Sequence, residues 1–199
     1  MSKKTLQTTY YFMLLLILLN IVIICTANFI TPVWAKFVAH IHGNLRTAGN
    51  AIGLFAIILG LFTFVAGAIE NRLQKNELFL VISQGMFVTG YICFLLIHYP
   101  WQLYILQAWL GLAGAIQAPA LYSLYQKYMP KHQTTMAWGL WNGCFNLAVG
   151  IGAFAGSYLV SLAGFKWMFI ILSTFSFLGF ILAIVIGGQM LKYHLHKKY

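Results

Sequence analysis

Apolar residues fill six long stretches of this chain, each parted from the next by a short polar break. At 1.5 Å rise per residue, a run of about 20 apolar residues crosses the roughly 30 Å hydrocarbon layer of a bilayer. The pattern therefore predicts transmembrane helices over residues 10–33, 48–69, 78–98, 102–126, 136–161 and 168–188. The first run follows Lys3 and Lys4, as the core of a signal peptide does, but it is longer and carries no small-x-small cleavage site, so it is expected to be the first span. The breaks are short except for residues 34–47, expected to form the main outer loop. The whole chain, 1–199, is read as one six-helix transmembrane domain of an all-α membrane protein, ending in a basic tail over 189–199.

Composition removes the soluble alternatives. Of 199 residues, 61% are hydrophobic and 7% charged, against about a quarter charged in a soluble domain. The net charge of +10 would raise the question of nucleic acid in a soluble chain, but here the charges sort by side. With the N-terminus inside, one face holds Lys3, Lys4, Arg72, Lys75, Lys127, Lys131, Lys192, Lys197 and Lys198, and the other only Lys36, Arg46 and Lys166. The positive-inside rule then places both termini in the cytoplasm, in a plasma (inner) membrane, with lipid and not nucleic acid as the surrounding partner. Cys25, Cys93 and Cys144 lie singly in predicted spans, which argues against a disulfide framework or a zinc site. Tyr10, Tyr11, Trp34, Tyr99, Trp101, Tyr125, Tyr128 and Trp167 fall near predicted span ends, as an interfacial belt requires. The histidines fall in loops or the tail, where His194 and His196 beside lysines suit anionic lipid better than a metal.

Spans two and five share a run of glycines: Gly49, Gly53, Gly60 and Gly67 in one, Gly139, Gly143, Gly150, Gly152 and Gly156 in the other. Small residues let helix backbones approach closely. Their middle position in each triplet is what a 3+3 inverted repeat produces, although glycine is also common in membrane helices generally.

Four further segments sharpen this. Gly67-Ala68-Ile69-Glu70-Asn71-Arg72-Leu73-Gln74-Lys75 stands between spans two and three. Gly139, Ala148 and Gly152-Ala153-Phe154-Ala155-Gly156-Ser157 mark span five, and Gly164-Phe165-Lys166-Trp167-Met168-Phe169 leads into span six, with Gln117-Ala118-Pro119-Ala120 late in span four. Together they resemble the G-x-L-x-D-R-x-G-R loop, the G-x8-G-x3-G-P-x2-G-G helix and the G-W-R-W-x-F segment of the major facilitator superfamily, in its N-terminal six-helix half. The resemblance implies a half-size transporter working by alternating access. It also implies a partner half, with a second copy in a homodimer expected ahead of a different six-helix chain. The loop residues Gly67, Glu70, Asn71, Arg72 and Lys75 take the place of the family's conformational latch, with Asn71 where the family has aspartate. Glu70 takes over only if the helix end is rotated; otherwise Glu70, Arg72, Lys75 and Glu77 form a solvated turn. Gly139, Gly152 and Gly156 are the expected helix-packing positions. Gln107, four residues before Gly111, replaces an arginine found in many proton-coupled relatives, and Ala153 replaces the helix-five proline, which argues against proton antiport.

Glu70 and Glu77 are the only acidic residues and both flank the inner loop, so no proton-carrying carboxyl is expected in a central cavity. What remains inside the spans is neutral: Asn20, Thr26, Asn28, Gln84, Gln107, Gln117, Asn142 and Asn146. Unpaired amides are costly in hydrocarbon and should face protein or water. Trp138, Asn142 and Asn146 recur every fourth residue on one helix face. With Asn28, Gln107 and Gln117 they form the candidate substrate cavity, the alternative being amides that bond across helices. Asn20 and Gln84 are read as structural. Pro32 and Pro119 are candidate kinks. Ser157 has no histidine at its depth, and no H-E-x-x-H, P-loop or dinucleotide fingerprint occurs, so neither enzymatic activity nor a cofactor is expected. The expected function is passage of a small solute, or else an accessory or assembly role in a protein that keeps the half-fold.

Overall fold

The computed structural model describes residues 3–196, with side chains from 7 to 193. Its helices are α1 (Lys3–Asn28), α2 (Trp34–His40), α3 (Leu45–Leu73), α4 (Asn76–Cys93), α5 (Pro100–Tyr128) and α6 (Thr134–His196), with 3₁₀ turns at Thr31–Val33 and Phe94–Leu96. No strand occurs among the described residues. Five helical stretches are long and apolar enough to cross a membrane: Gln7–His40, Leu45–Leu73, Asn76–Leu96, Pro100–Tyr128 and Thr134–Tyr193.

The last stretch is not one rod. At 63 residues a straight α6 would be about three bilayers long. Gly164 breaks it with φ 78° and ψ 179°, backbone angles that essentially only glycine adopts. The two arms fold back on each other. Tyr10 Oη donates to Gln133 Oε1 (3.2 Å) at the start of α6, and Tyr11 Oη to Gln189 Oε1 (3.2 Å) near its end. Both ends of α6 therefore meet the same end of α1. Phe165, just past the break, packs instead on Phe37 and His40, with ring centroids 5.5 and 5.4 Å away. The predicted spans 136–161 and 168–188 fall one on each arm.

The outer loop expected over 34–47 is largely helical. Its α2 buries Trp34, Phe37 and Val38, because a loop of this composition gains more by covering the bundle end than by standing in water. Trp34 Nε1 donates to Ala48 O (3.2 Å), and Phe37 meets the rings of Phe94, Phe165 and Phe169. Asn44 starts α3 by accepting from Thr47 N (3.0 Å), while its own amide donates to Thr47 Oγ1 (3.3 Å), a reciprocal cap.

Packing sets α1 mainly on α6, α3 on α5, and α4 across both α5 and α6. One apolar cluster centres on Phe37, Leu103 and Phe169, another on Leu16, Tyr125 and Trp141 at the opposite end. Of the expected packing glycines, Gly152 and Gly156 face backbone: a Cβ there would collide with the carbonyl oxygens of Cys25 on α1 and of Phe29 just past its end. Gly139 does not; nothing lies within 4 Å of where its Cβ would be, and the same is true of Gly49, Gly53, Gly60, Gly67, Gly143 and Gly150. The close approach of α3 to α5 rests instead on Gly111, whose Cβ would stand 2.8 Å from Phe55 O, and Gly114, 2.8 Å from Leu59 Cδ1.

Lys36, Arg46 and Lys166 sit at the Gly164 end of the bundle, whereas Arg72, Lys75, Lys127, Lys131 and Lys192 belong to the other end, where Lys127 Nζ pairs with Glu77 at 3.7 Å. Tyr99, Trp101 and Trp167 are exposed as belt residues should be, but Trp34, Tyr125 and Tyr128 are buried and belong to the core. Tyr125 Oη donates to Ala137 O, fastening α5 to α6. Pro32 lies in the first 3₁₀ turn, and α5 runs on through Pro119 to Tyr128. Lys197 and Lys198, and the side chains of Lys3, Lys4, His194 and His196, lie outside the described residues; residues 189–196 continue α6 as helix.

Candidate functional site

Three helices present the same spacing of residues to one space inside the bundle. Ile52, Phe55 and Leu59 of α3, Gln84, Phe87 and Tyr91 of α4, and Gln107, Leu110 and Gly114 of α5 each follow i, i+3, i+7, so each set lies on one helix face. Phe94 extends the α4 stripe and Gln117 that of α5. The far part of α1 with the turn after it, from Val22 to Thr31, and Trp34 of α2 close another side, and Ser176 reaches in from the second arm of α6. This partly open cavity measures about 510 Å³, within the roughly 300–1,000 Å³ of small-molecule pockets.

Its chemistry is uniform. Among the described residues no Asp, Glu, Lys, Arg or His lines it; the walls are aliphatic and aromatic, broken by Thr26, Asn28, Thr31, Gln84, Gln107, Gln117 and Ser176. Several of these polar groups are already engaged. Thr26 Oγ1 donates to Val22 O (2.6 Å), Asn28 Nδ2 to Ile24 O (2.8 Å), and Thr31 Oγ1 reaches Asn28 Oδ1 at 3.4 Å. Gln84 and Gln117 are different: they are 2% and 8% exposed, and the Nε2 of each has no hydrogen-bond partner among the described residues. Leaving a buried donor unsatisfied costs about 1–3 kcal/mol.

The expected cavity residues thus divide. Asn28, Gln107 and Gln117 line the space; Trp138, Asn142 and Asn146 stand outside it. The last three do share a face, but Asn142 Nδ2 donates to Trp138 O (3.0 Å) and Asn146 Nδ2 to Asn142 O (2.8 Å), each one turn back on its own helix. Trp138 packs on Tyr125 and Trp141, with ring centroids at 5.3 and 6.4 Å. Gln84, read as structural, is a wall residue, and so is Trp34, read as an anchor. The signal for Gln84 was its stripe with Phe87, Tyr91 and Phe94; nothing in the sequence marked Trp34. Asn20 is buried away from the cavity.

At the opposite end, the latch segment is not a solvated turn throughout. Helix α3 continues to Leu73, which turns Glu70 inward to 3% exposure with Oε1 unpartnered, while Asn71, Arg72 and Lys75 stay exposed. The turn is closed by Gln74 in the left-handed region (φ 53°), whose amide donates to Glu70 O (2.8 Å) and whose Nε2 donates to Asn71 O (2.6 Å). Asn76 Nδ2 then ties α4 to Ser123 Oγ of α5 at 2.7 Å.

A family model described as Major Facilitator Superfamily matches residues 16–194, nearly the whole chain. No curated protein matches it.

Proposed function

The chain belongs to the Major Facilitator Superfamily, a multi-pass membrane family with transporter-type function, and on that premise we propose that it carries a small solute by alternating access through the cavity between α1, α3, α4 and α5. The observation that carries this reading is the cavity itself: about 510 Å³, walled by three aligned helix stripes that set neutral polar side chains among apolar and aromatic ones. Each arm of α6 crosses the bilayer, giving six spans in two inverted triplets. The five described basic residues at the Glu77 end face the cytoplasm, which puts both termini there.

Transport follows the solute gradient. Among the described residues no acid or base lines the cavity, and the buried Glu70 is not among its walls. Glu70, with Gly67, Asn71, Arg72 and Lys75 around it, latches the inner end of α3 in one state. A second six-helix body faces the open sides of α3 and the first α6 arm, where Trp138, Asn142 and Asn146 line the shared path. A second copy fits this place, because the charge bias inserts both copies the same way round and the glycines of both faces lie bare.

The test is uptake into proteoliposomes of a panel of neutral, zwitterionic and charged solutes, with and without a protonophore. Uptake of a neutral solute that ignores the protonophore is expected. Collapse of uptake on adding the protonophore would sink gradient-driven transport, and a folded protein that moves nothing would leave the accessory role.

A further inference from the structure

Deepening that reading, we infer that the cavity takes an uncharged, lipophilic, ring-bearing molecule and admits it through the side of the bundle, between α1 and α3, below the α2 lid. The route follows from the packing. Helix α1 seats on α6 and α3 on α5, while α1 and α3 form no packed seam with each other, although both wall the cavity. Each side of that gap brings an exposed wall residue to the rim: Ile52 of α3, and Thr31 just past the end of α1. The ends of the bundle are shut. At the outer end Trp34 is buried and donates through Nε1 to Ala48 O (3.2 Å), with Phe37 and Val38 of the same short helix also buried. Past Gln117, toward the inner end, Leu121, Leu124 and Tyr125 belong to the apolar cluster around Leu16 and Trp141. Gly49, Gly53, Gly60 and Gly67 lie about 100° round α3 from the stripe of Ile52, Phe55 and Leu59, so a second copy seated on those glycines borders the mouth without filling the cavity.

The walls decide the ligand. Among the described residues none of them is charged, so an ion would be stripped of water and left unpaired. A sugar needs a partner for each hydroxyl, and the walls have few to spare. Thr26 Oγ1 and Asn28 Nδ2 donate to carbonyls of their own helix, Trp34 Nε1 donates to Ala48 O, and the amide nitrogens of Gln84 and Gln117 are buried out of reach. Gln107 on the same wall keeps both a donor and an acceptor free, enough for one neutral polar group of either kind. Trp34, Phe55, Phe87, Tyr91 and Phe94 supply ring faces and edges, which suit an aromatic body. A molecule of this kind leaves water for the bilayer, at the depth where the mouth opens.

Trifluoromethyl phenyl diazirine is a suitable probe, being uncharged, ring-bearing and photoreactive through loss of dinitrogen. The whole protein in lipid nanodiscs would be irradiated over a range of probe concentrations, and the adducts mapped by mass spectrometry. Labelling of the α4 and α5 walls is expected to saturate and to fall several-fold in excess unreactive tert-butylbenzene. Labelling of exposed Ile92 and Ile184, outside the cavity, should rise in proportion to the probe and resist competition. The para-carboxylate of the probe should leave the walls unlabelled, and excess glucose should displace nothing. Ala118→Phe, which fills the cavity, should abolish the saturable part; should it not fold, saturation and competition in the wild-type protein decide. For the route, Ile52→Cys and Leu45→Cys would be compared in a protein whose native cysteines are alanine. Pyrene maleimide attached at the first position should block wall labelling, and at the second, exposed on the same helix outside the cavity, should leave it unchanged. If the cysteine-free protein does not fold, Ile52→Trp and Leu45→Trp in the native chain make the same comparison.

Wall labelling that never saturates, that the carboxylate matches or that glucose displaces would overturn the ligand. Wall labelling unchanged by the block at Ile52, or lost equally with the block at Leu45, would overturn the route. Labelling that holds while no solute is moved would sink transport and leave the receptor standing. Uptake of a charged solute by a protein whose cavity takes no label would do the reverse.

Discussion

Single residues in this bundle differ most in whether a backbone stands against them. At Gly152 and Gly156 the neighbour is a carbonyl oxygen of α1 or of the residue just past its end, which cannot swing aside as a side-chain tip can. Gly152→Ala and Gly156→Ala are therefore expected to destabilise by about 1–3 kcal/mol through overpacking, read as lowered melting temperature in detergent. Gly139→Ala meets open space and should change stability by no more than roughly 0.5 kcal/mol. Three equal melting curves would contradict the α1–α6 packing. Tyr125→Phe removes one buried bond to Ala137 O and should cost about 1 kcal/mol. The sequence could not separate these glycines, because spacing tells which residues share a face and not what that face meets. It did place Asn142 and Asn146 on one face with Trp138, yet their amides turn back on their own helix, and no periodicity reports that. Gln84 was missed for the opposite reason: a lone amide on a span reads as structural until the aromatic residues one and two turns on are counted with it.

At the scale of elements, hydropathy was enough to find every long helix, since backbone groups in hydrocarbon must be satisfied within the helix itself. It failed where burial happens outside the spans. Residues 34–47 read as loop by their break in hydropathy, but Trp34, Phe37 and Val38 make α2 a lid over the bundle end. The turn at Gly164, in the short break around Lys166, is sharp because glycine alone supports φ 78° with ψ 179°. Gly164→Ala should cost about 1–3 kcal/mol, and Gly164→Val at least as much. The reversal itself is checked by labelling single cysteines with a membrane-impermeant maleimide in intact cells. A cysteine at Lys166 should react from the side opposite to one at His132. If both reacted from the same side, α6 would not cross twice.

For the whole molecule, the open question of geometry is what covers the side of the bundle that α3 and the first arm of α6 leave bare. Helix α3 is the least buried of the long helices, with Phe64 81% exposed and four glycines that touch nothing, and Phe154 on the first α6 arm is 82% exposed. Lipid can cover apolar side chains, but bare glycine backbones and the amides of Asn142 and Asn146 gain more from close protein contact. If a second copy sits there about a two-fold axis normal to the membrane, equivalent positions near that axis face each other. In a protein with Cys25, Cys93 and Cys144 replaced by alanine, a single cysteine at Gly143 should then form an oxidative cross-link between copies, seen as a doubled mass without reductant. A cysteine at Ile184, on the exposed flank of the second arm, should not. Cross-linking at Ile184 and none at Gly143 would move the contact to the other flank, and the bare face of α3 and the first arm would then lie against lipid or a different chain.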